Sequence, residues 1–184
     1  MAELIQAVFQ SDAIPKARLE AARELQHLLK TTWRQVSQSA NEGTNLDLFP
    51  MTILSSTKRG YLVKLGRQMN GCYVDGWYDA CAVMMRRLFE IAILEAFEAN
   101  NIQDQIKGHD GNYLQLTDLV SRTLNCKTWT LSRNSQQALP KIKDLGHLSA
   151  HGKFFTSQKN DIDKIASDFR VVMEELLHHA KLIN

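Results

Sequence analysis

Apolar residues recur at intervals of three and four along most of the chain, which is the pattern of amphipathic α-helices. A short first helix would carry four apolar residues on one face, namely Leu4, Ile5, Val8 and Phe9. Ser11 or Asp12 can cap a second helix that runs to about residue 37, with Pro15 in its first turn. The polar run 40–45 that follows has the composition of a linker.

The remainder of the chain predicts a helical bundle. Pro50 predicts an extended or irregular stretch after it. Two helices should then span Thr57 to about Tyr73 and Trp77 to about Ala99, with a break at 75–76. The second is apolar around most of its circumference, so we expect it at the centre of the bundle. Later helices are predicted over 114–124, 135–150 and 161–181, and only 127–131 suggests a short strand.

These elements predict an all-α protein with an N-terminal helical arm and linker at 1–45 and a helical bundle at 46–184. The hydrophobic fraction of 44% and the charged fraction of 23% are those of a globular protein, and the net charge of +2 does not by itself indicate a nucleic-acid or membrane partner. Four charged residues interrupt the longest apolar stretch, 80–97, which argues against a membrane span.

The N-terminus does not have the pattern of a secretory signal, so we expect a cytoplasmic location. The three cysteines lack CxxC spacing, which predicts neither a disulfide framework nor a cysteine zinc site. Trp33, Trp77 and Trp129 are dispersed and do not indicate a stacking platform of the RRM or OB-fold type.

Two groups of charged or titratable residues interrupt the apolar pattern. Asp79, Arg86 and Glu90 are spaced by seven and four on one stripe of the central helix, with Arg87 beside them. A stripe of this kind is consistent with a structural Arg86–Glu90 pair or with a face in solvent. It is also consistent with a cleft in which Arg86 or Arg87 binds phosphate, because a planar guanidinium contacts two oxygens at once.

The second group lies in the segment 141–152, where Lys143, His147 and His151 follow one another at intervals of four. Two histidines at this spacing can serve a purely structural role, act as an acid–base pair, or bind zinc with a third ligand such as His178 or His179. The chain has no HExxH motif, and we predict no metal site.

The blocks GRQMNGCYVDGWYDACAVMMRRLFEIAILEAFE and LPKIKDLGHLSAHG together resemble the HEPN superfamily. The similarity is to an uncharacterised bacterial HEPN-like family with an RRLFE-like central helix and an LGN-x-AAH-like helix. It covers about residues 57–181 and implies a four-helix bundle, to which the first fifty residues are an appended arm.

The resemblance also implies an activity, because many HEPN proteins are metal-independent ribonucleases. They act as dimers in toxin–antitoxin pairs, phage defence and CRISPR-associated systems. Their motif is an arginine followed by a polar residue and, after a gap, a histidine. His151 matches the histidine and His147 the polar residue, whereas Gly146 stands where the arginine is expected and Lys143 lies one turn earlier.

The resemblance therefore implies a metal-independent endoribonuclease, in a prokaryotic defence or toxin–antitoxin setting, that uses no cofactor. His151 would transfer protons with support from His147. The substrate phosphate would be held by cations drawn from Arg86, Arg87 and Lys143, with Glu90 on the same stripe. The expected partners are RNA or a nucleotide, a second copy of the chain, and a protein bound through the arm. The alternatives are a non-catalytic HEPN module that binds RNA, nucleotide or protein, and a purely structural bundle.

Overall fold

The computed structural model describes residue 20 and residues 22–32 and 47–184. The chain divides into two compact units, Met1–Thr44 and Asn45–Asn184. In the first unit, residues 22–32 are helical, as the periodicity predicts. The predicted short first helix and the linker at 40–45 lie outside the described residues.

The second unit is helical throughout its regular structure. Within residues 47–184 the helices are α1 (Met51–Ser56), α2 (Gly60–Val74), α3 (Tyr78–Ala99), a short 3-10 helix (Gln103–Ile106), α4 (Leu116–Leu124), α5 (Arg133–His151) and α6 (Lys159–His179). This part of the chain contains no strand beyond a single bridge between Lys107 and Tyr113. The all-α class is confirmed, and the suggestion of a strand at 127–131 is wrong because that segment is irregular.

The helix α1 was not predicted, because Pro50 was expected to keep the following residues irregular. Pro50 instead occupies the N-cap position, with a φ of −62°. Its carbonyl accepts hydrogen bonds from the amides of Ile53 and Leu54. A proline at a helix start loses nothing by lacking an N–H, since the first turn of a helix has no intrahelical acceptors for its amides. The turn is held to the core by the buried side chain of Leu54.

The central position of α3 is confirmed. This helix contacts the three other long helices, α2, α5 and α6. Its buried side chains repeat with helical spacing from residue 81 to residue 97, as expected for an element surrounded by partners, and they are Cys81, Ala82, Met85, Leu88, Phe89, Ala92, Ile93, Ala96 and Phe97. None of these nine is more than 1% exposed. The charged residues of α3 are therefore restricted to the edges of a buried helix.

Two connections determine which helix ends meet. Gly76 turns the chain between α2 and α3 with a φ of +79°, in the left-handed region that glycine adopts without strain. Residues 152–158 join α5 to α6, and Ser132 at the start of α5 donates a hydroxyl hydrogen bond of 2.9 Å to Glu175 near the end of α6. These two helices therefore run antiparallel. The end of α5 lies at the same end of the bundle as the start of α6.

Candidate functional site

Helix α5 supplies the two histidines of the candidate site. Its first turn is capped by Ser132, whose hydroxyl accepts a 3.2 Å hydrogen bond from the amide of Ser135. On the exposed flank of the helix, His147 and His151 lie one turn apart, with ring centroids separated by 5.0 Å. Lys143 precedes them by one further turn. The i, i+4 spacing thus brings two imidazoles into contact at the surface, as the sequence predicts.

Gly146 lies at a close contact between α5 and α3. The residue is buried, and a Cβ atom placed on it would lie 2.5 Å from Cβ of Arg86 and 3.1 Å from Cγ of Arg86. The Arg86 side chain therefore crosses α5 at the position immediately before His147. No residue larger than glycine fits here unless the two helices separate. The position where an arginine is missing from α5 is in contact with an arginine of α3.

The guanidinium of Arg86 does not satisfy all of its hydrogen-bond donors. Its Nη1 atom is buried and has no hydrogen-bond partner. Among the residues that the structure describes, Arg86 and Glu90 form no ion pair, although both are half-buried and lie one turn apart on α3. A buried donor without an acceptor costs about 1–3 kcal/mol, and more when it is charged. An anion that reached Nη1 would remove this cost.

Asp79, on the same stripe as Arg86, has a structural role. Its Oδ1 accepts a 2.8 Å hydrogen bond from the amide of Ser157, in the α5–α6 loop. The Ser157 hydroxyl in turn lies 2.6 Å from the hydroxyl of Ser149 on α5. These contacts attach the loop after His151 to the beginning of α3. The last turn of α5 is thereby fixed beside the central helix.

The other predicted cations are placed differently. Lys143 forms a 2.6 Å ion pair with Asp144, and its side chain is 23% exposed. Arg87 lies on another side of α3, where it lines a groove of about 550 Å³ between α2 and α3 together with Lys64 and Glu95. Burial raises the pKa of Glu95, an effect that the neighbouring Arg59 partly opposes. The structure therefore brings Arg86 to the histidine helix and directs Arg87 to a separate surface.

A third metal ligand from the end of α6 is not near the histidine pair. His178 and His179 lie in the last turn of α6, which is close to the beginning of α5 because the two helices are antiparallel. The fifteen residues from Ser132 to His147 correspond to roughly 20 Å of helix. Within the described part of the chain, no three side chains of His, Cys, Asp or Glu are grouped as metal ligands. The zinc interpretation based on His178 or His179 is therefore wrong.

His179 belongs to a second polar group that the sequence did not indicate. Its ring stacks on Trp129 with centroids 5.5 Å apart and an interplanar angle of 18°. Trp129 Nε1 and His179 Nε2 are both buried without a hydrogen-bond partner. Burial lowers the pKa of His179, and this effect exceeds the opposing influence of Glu175. Fifty residues separate the two rings, and no local spacing could have predicted their contact.

An exposed aromatic residue follows the histidine pair and was also missed. Phe154 in the α5–α6 loop has 92% of its surface in solvent, whereas the adjacent Phe155 is half-buried. The Phe-Phe doublet between Gly152-Lys153 and a polar run was the available sequence signal.

No helix in the described ranges is both long enough and apolar enough to cross a lipid bilayer. Comparison of the chain with protein-family models, with curated proteins and with solved structures finds no match.

Proposed function

We propose that this protein is a HEPN-like, metal-independent endoribonuclease in which Arg86 of α3 takes the part of the arginine that α5 lacks. The observation that carries the proposal is the contact between Gly146 and Arg86, because a Cβ atom on residue 146 would lie only 2.5 Å from Cβ of Arg86. With glycine at position 146, α5 lacks the expected arginine, and the space is filled by the side chain of Arg86 from α3. The Cβ, Cγ and Cδ atoms of Arg86 lie against the residue that precedes His147 on α5.

The chemistry requires one base, one acid and one cation. A neutral imidazole removes the proton from a ribose 2′-OH, and the resulting oxyanion attacks the adjacent phosphorus. The P–O5′ bond breaks, and an imidazolium gives its proton to the leaving 5′-oxygen. The products are a 2′,3′-cyclic phosphate and a free 5′-hydroxyl. An imidazole with a pKa of about 6.5 can act in either role, and each proton transfer contributes about a hundredfold or more in rate.

His147 and His151 supply this acid–base pair, and their 5.0 Å centroid separation lets both rings approach one phosphodiester. Substrate binding exposes the buried Nη1 donor of Arg86, which has no protein partner, and Arg86 then stabilises the charge that develops on the phosphorane. Lys143, one turn before His147, contributes positive potential when substrate displaces it from its ion pair with Asp144. Glu90, one turn after Arg86 on α3, orients the guanidinium when substrate is bound. As the resemblance implies, the protein acts as a homodimer in prokaryotic defence or in a toxin–antitoxin pair.

The decisive experiment is cleavage of an unstructured RNA in EDTA. Wild-type protein should release fragments ending in 2′,3′-cyclic phosphate, and His151→Ala should release at least a hundredfold less. His109→Ala is the matched control, because His109 is an exposed histidine in the loop before α4 and should leave cleavage unchanged. A folded wild-type protein that cleaves no RNA in this assay would show the proposal to be wrong.

A non-catalytic RNA-binding module is the second candidate, and the Lys143–Asp144 ion pair is the observation that favours it. This 2.6 Å pair engages the one cation that lies on the histidine stripe itself. The cleavage product distinguishes the two candidates. A binding module binds labelled RNA in an anisotropy assay but yields no cyclic-phosphate product, whereas a ribonuclease yields that product.

A further inference from the structure

The ends of α3 and α6 meet at a pocket of about 380 Å³, here called the Trp129 pocket. Its walls include Asn100 at the end of α3, Trp129 in the loop before α5, and His178, His179 and Lys181 at the end of α6. The end of α6 lies beside the beginning of α5, whereas the histidine pair is near the end of α5. A ligand in the Trp129 pocket would therefore be independent of the proposed ribonuclease site.

Main-chain carbonyls at these two helix ends already accept hydrogen bonds. The Ala99 carbonyl of α3 accepts a 2.8 Å hydrogen bond from Lys181 Nζ. In α6, the His179 carbonyl accepts one of 2.9 Å from Asn100 Nδ2, and the His178 carbonyl accepts one of 2.8 Å from the amide of Lys181. Helix C-termini ordinarily present free carbonyl oxygens, which attract cations. Here these acceptors are occupied, so the pocket does not favour a cation.

The side-chain groups that lack a partner at this pocket are ring nitrogens. Trp129 is only 8% exposed, and its Nε1 is buried without a hydrogen-bond partner. The Nε2 atom of His179, on the ring stacked against Trp129, is also buried without a partner. An indole Nε1 can only donate, and an imidazole Nε2 donates in one of its two neutral tautomers. Because buried polar groups are nearly always hydrogen-bonded, two such nitrogens in one pocket wall require an acceptor from outside the fold.

The charges around the pocket favour an anion. Lys181 is exposed, and the bond to the Ala99 carbonyl engages only one of the three hydrogens of its ammonium. Among the described residues, no acidic side chain lines the pocket. Glu175 is the acid whose charge affects His179, and its carboxylate accepts a 2.9 Å hydrogen bond from the Ser132 hydroxyl. The acceptor that the ring nitrogens require would therefore enter a region of positive potential.

One wall of the pocket can move to admit that acceptor. Both ring nitrogens are buried, so a ligand reaches them only when a neighbouring segment shifts. Ile183 and Asn184 line the pocket and follow Leu182, whose amide donates a 3.0 Å hydrogen bond to the Leu177 carbonyl. Within the described part of the chain, neither Ile183 nor Asn184 forms a main-chain hydrogen bond beyond that one. These two residues can therefore shift without breaking a hydrogen bond of the backbone.

We propose that the Trp129 pocket binds a small organic carboxylate, whose oxygens accept hydrogen bonds from Trp129 Nε1 and His179 Nε2 and whose charge is balanced by Lys181. His179 takes the tautomer that carries its hydrogen on Nε2. A carboxylate fits better than a phosphate, because no arginine lines the pocket in the described residues and one ammonium matches a single charge better than nearly two. The two rings and Ile183 provide apolar contacts for the organic part of the ligand.

The indole N–H signals of the full-length protein test this proposal, with sodium benzoate as the probe. The chain has three tryptophans, Trp33, Trp77 and Trp129, and Trp129→Phe identifies the signal of Trp129 in a ¹⁵N–¹H correlation spectrum. At constant ionic strength, benzoate should shift that signal in a saturable manner with a Kd of about 1 mM, and leave the Trp77 signal in place. Benzyl alcohol has the same ring without the charge and should bind at least about tenfold more weakly.

Three variants examine the proposed contacts. His179→Phe retains a ring against Trp129 without the Nε2 donor and should weaken benzoate binding about tenfold or more. Lys181→Gln removes an exposed charge and should weaken it about threefold to fivefold. Lys153→Gln is the matched control, because Lys153 is an exposed lysine in the α5–α6 loop and should leave the affinity unchanged.

The wild-type titration decides the proposal even where a variant is too unstable to measure. The proposal is overturned if the Trp129 signal does not move at about 50 mM benzoate, a concentration well above the expected Kd. It is also overturned if benzyl alcohol shifts the signal as strongly as benzoate does, since the pocket would then be merely apolar. A shift caused by inorganic phosphate and not by benzoate would likewise overturn the carboxylate.

Discussion

Gly146 of α5 lies so close to Arg86 of α3 that a methyl group on the glycine would stand 2.5 Å from the first side-chain carbon of the arginine. This contact explains why a glycine occupies the middle of a long helix, where it lowers helix stability by about 0.5–1 kcal/mol relative to alanine. The helix tolerates that loss because the residue admits the neighbouring side chain.

Gly146→Ala should therefore destabilise the protein, whereas the same change at an open position should stabilise it. Overpacking at a helix contact costs about 1–3 kcal/mol, which exceeds the gain in helix propensity. Gly71→Ala in α2 is the matched control, since a Cβ there has no neighbour within 4 Å and should add up to about 1 kcal/mol. Urea unfolding of both variants measures the change in the free energy of unfolding, which should be negative for Gly146→Ala and positive for Gly71→Ala. Equal stabilisation by the two changes would contradict the close contact.

The two adjacent arginines of α3 should differ in their effect on RNA cleavage. Arg86→Gln removes a fixed cation and should lower kcat/KM about a hundredfold or more, the loss typical of one donor to a transition-state oxyanion. Arg87→Gln should leave the rate unchanged, because Arg87 lines the α2–α3 groove. Arg86→Lys should recover only part of the activity, because the compact ammonium of lysine cannot contact two phosphate oxygens at once as the planar guanidinium does.

Rates are compared at a temperature where circular dichroism shows every variant folded. Equal losses from Arg86→Gln and Arg87→Gln would mean that neither side chain is the specific cation of the site.

His179 should make the protein less stable in mild acid. Burial lowers its pKa below the ordinary 6.5, so the unfolded chain binds the proton more readily than the folded one. The stabilising contribution of the neutral ring is complete above pH 6.5 and declines as the pH falls from 6.5 towards the folded-state pKa.

His179→Phe retains the stack on Trp129 without a titrating group, so its free energy of unfolding should decline less than that of the wild type between pH 7 and pH 5. Urea unfolding at several pH values measures the difference. If the free energy of unfolding depends on pH identically in the two proteins, His179 is not the cause of the acid sensitivity.

Asn70 should be the polar side chain whose loss is most costly near α1. It is buried in α2, where it accepts a 3.3 Å hydrogen bond from the Phe49 amide and donates one of 2.9 Å to the Phe49 carbonyl. Asn70→Leu leaves both buried backbone groups without partners, at about 1–3 kcal/mol each. Asn125→Ala removes an exposed asparagine bonded only within its own helix end and should cost less than about 0.5 kcal/mol. Thermal unfolding that shifts equally in both variants would contradict this assignment.

The sequence alone determined the features that depend on local spacing. The apolar periodicity placed the central helix at Trp77 to Ala99, and the structure has it at Tyr78–Ala99. The interval of four residues was sufficient to predict that His147 and His151 are neighbours, because helix geometry alone brings such residues together. The break at 75–76 followed from the left-handed turn that Gly76 permits. The helix after Pro50 was missed because a proline that ends one segment can also begin the next.

Only the tertiary structure decided which side of each helix meets which partner. Arg86 and Arg87 are adjacent in sequence, yet a rotation of about 100° per residue sends one to the histidine helix and the other to a separate groove. Sixty residues separate Arg86 from Gly146. Their contact depends on how α3 and α5 pack, and packing is a property of the whole core rather than of either segment. The pairing of Trp129 with His179 and the outward turn of Phe154 were likewise inaccessible to sequence analysis, because distant elements determine what each ring can bury against.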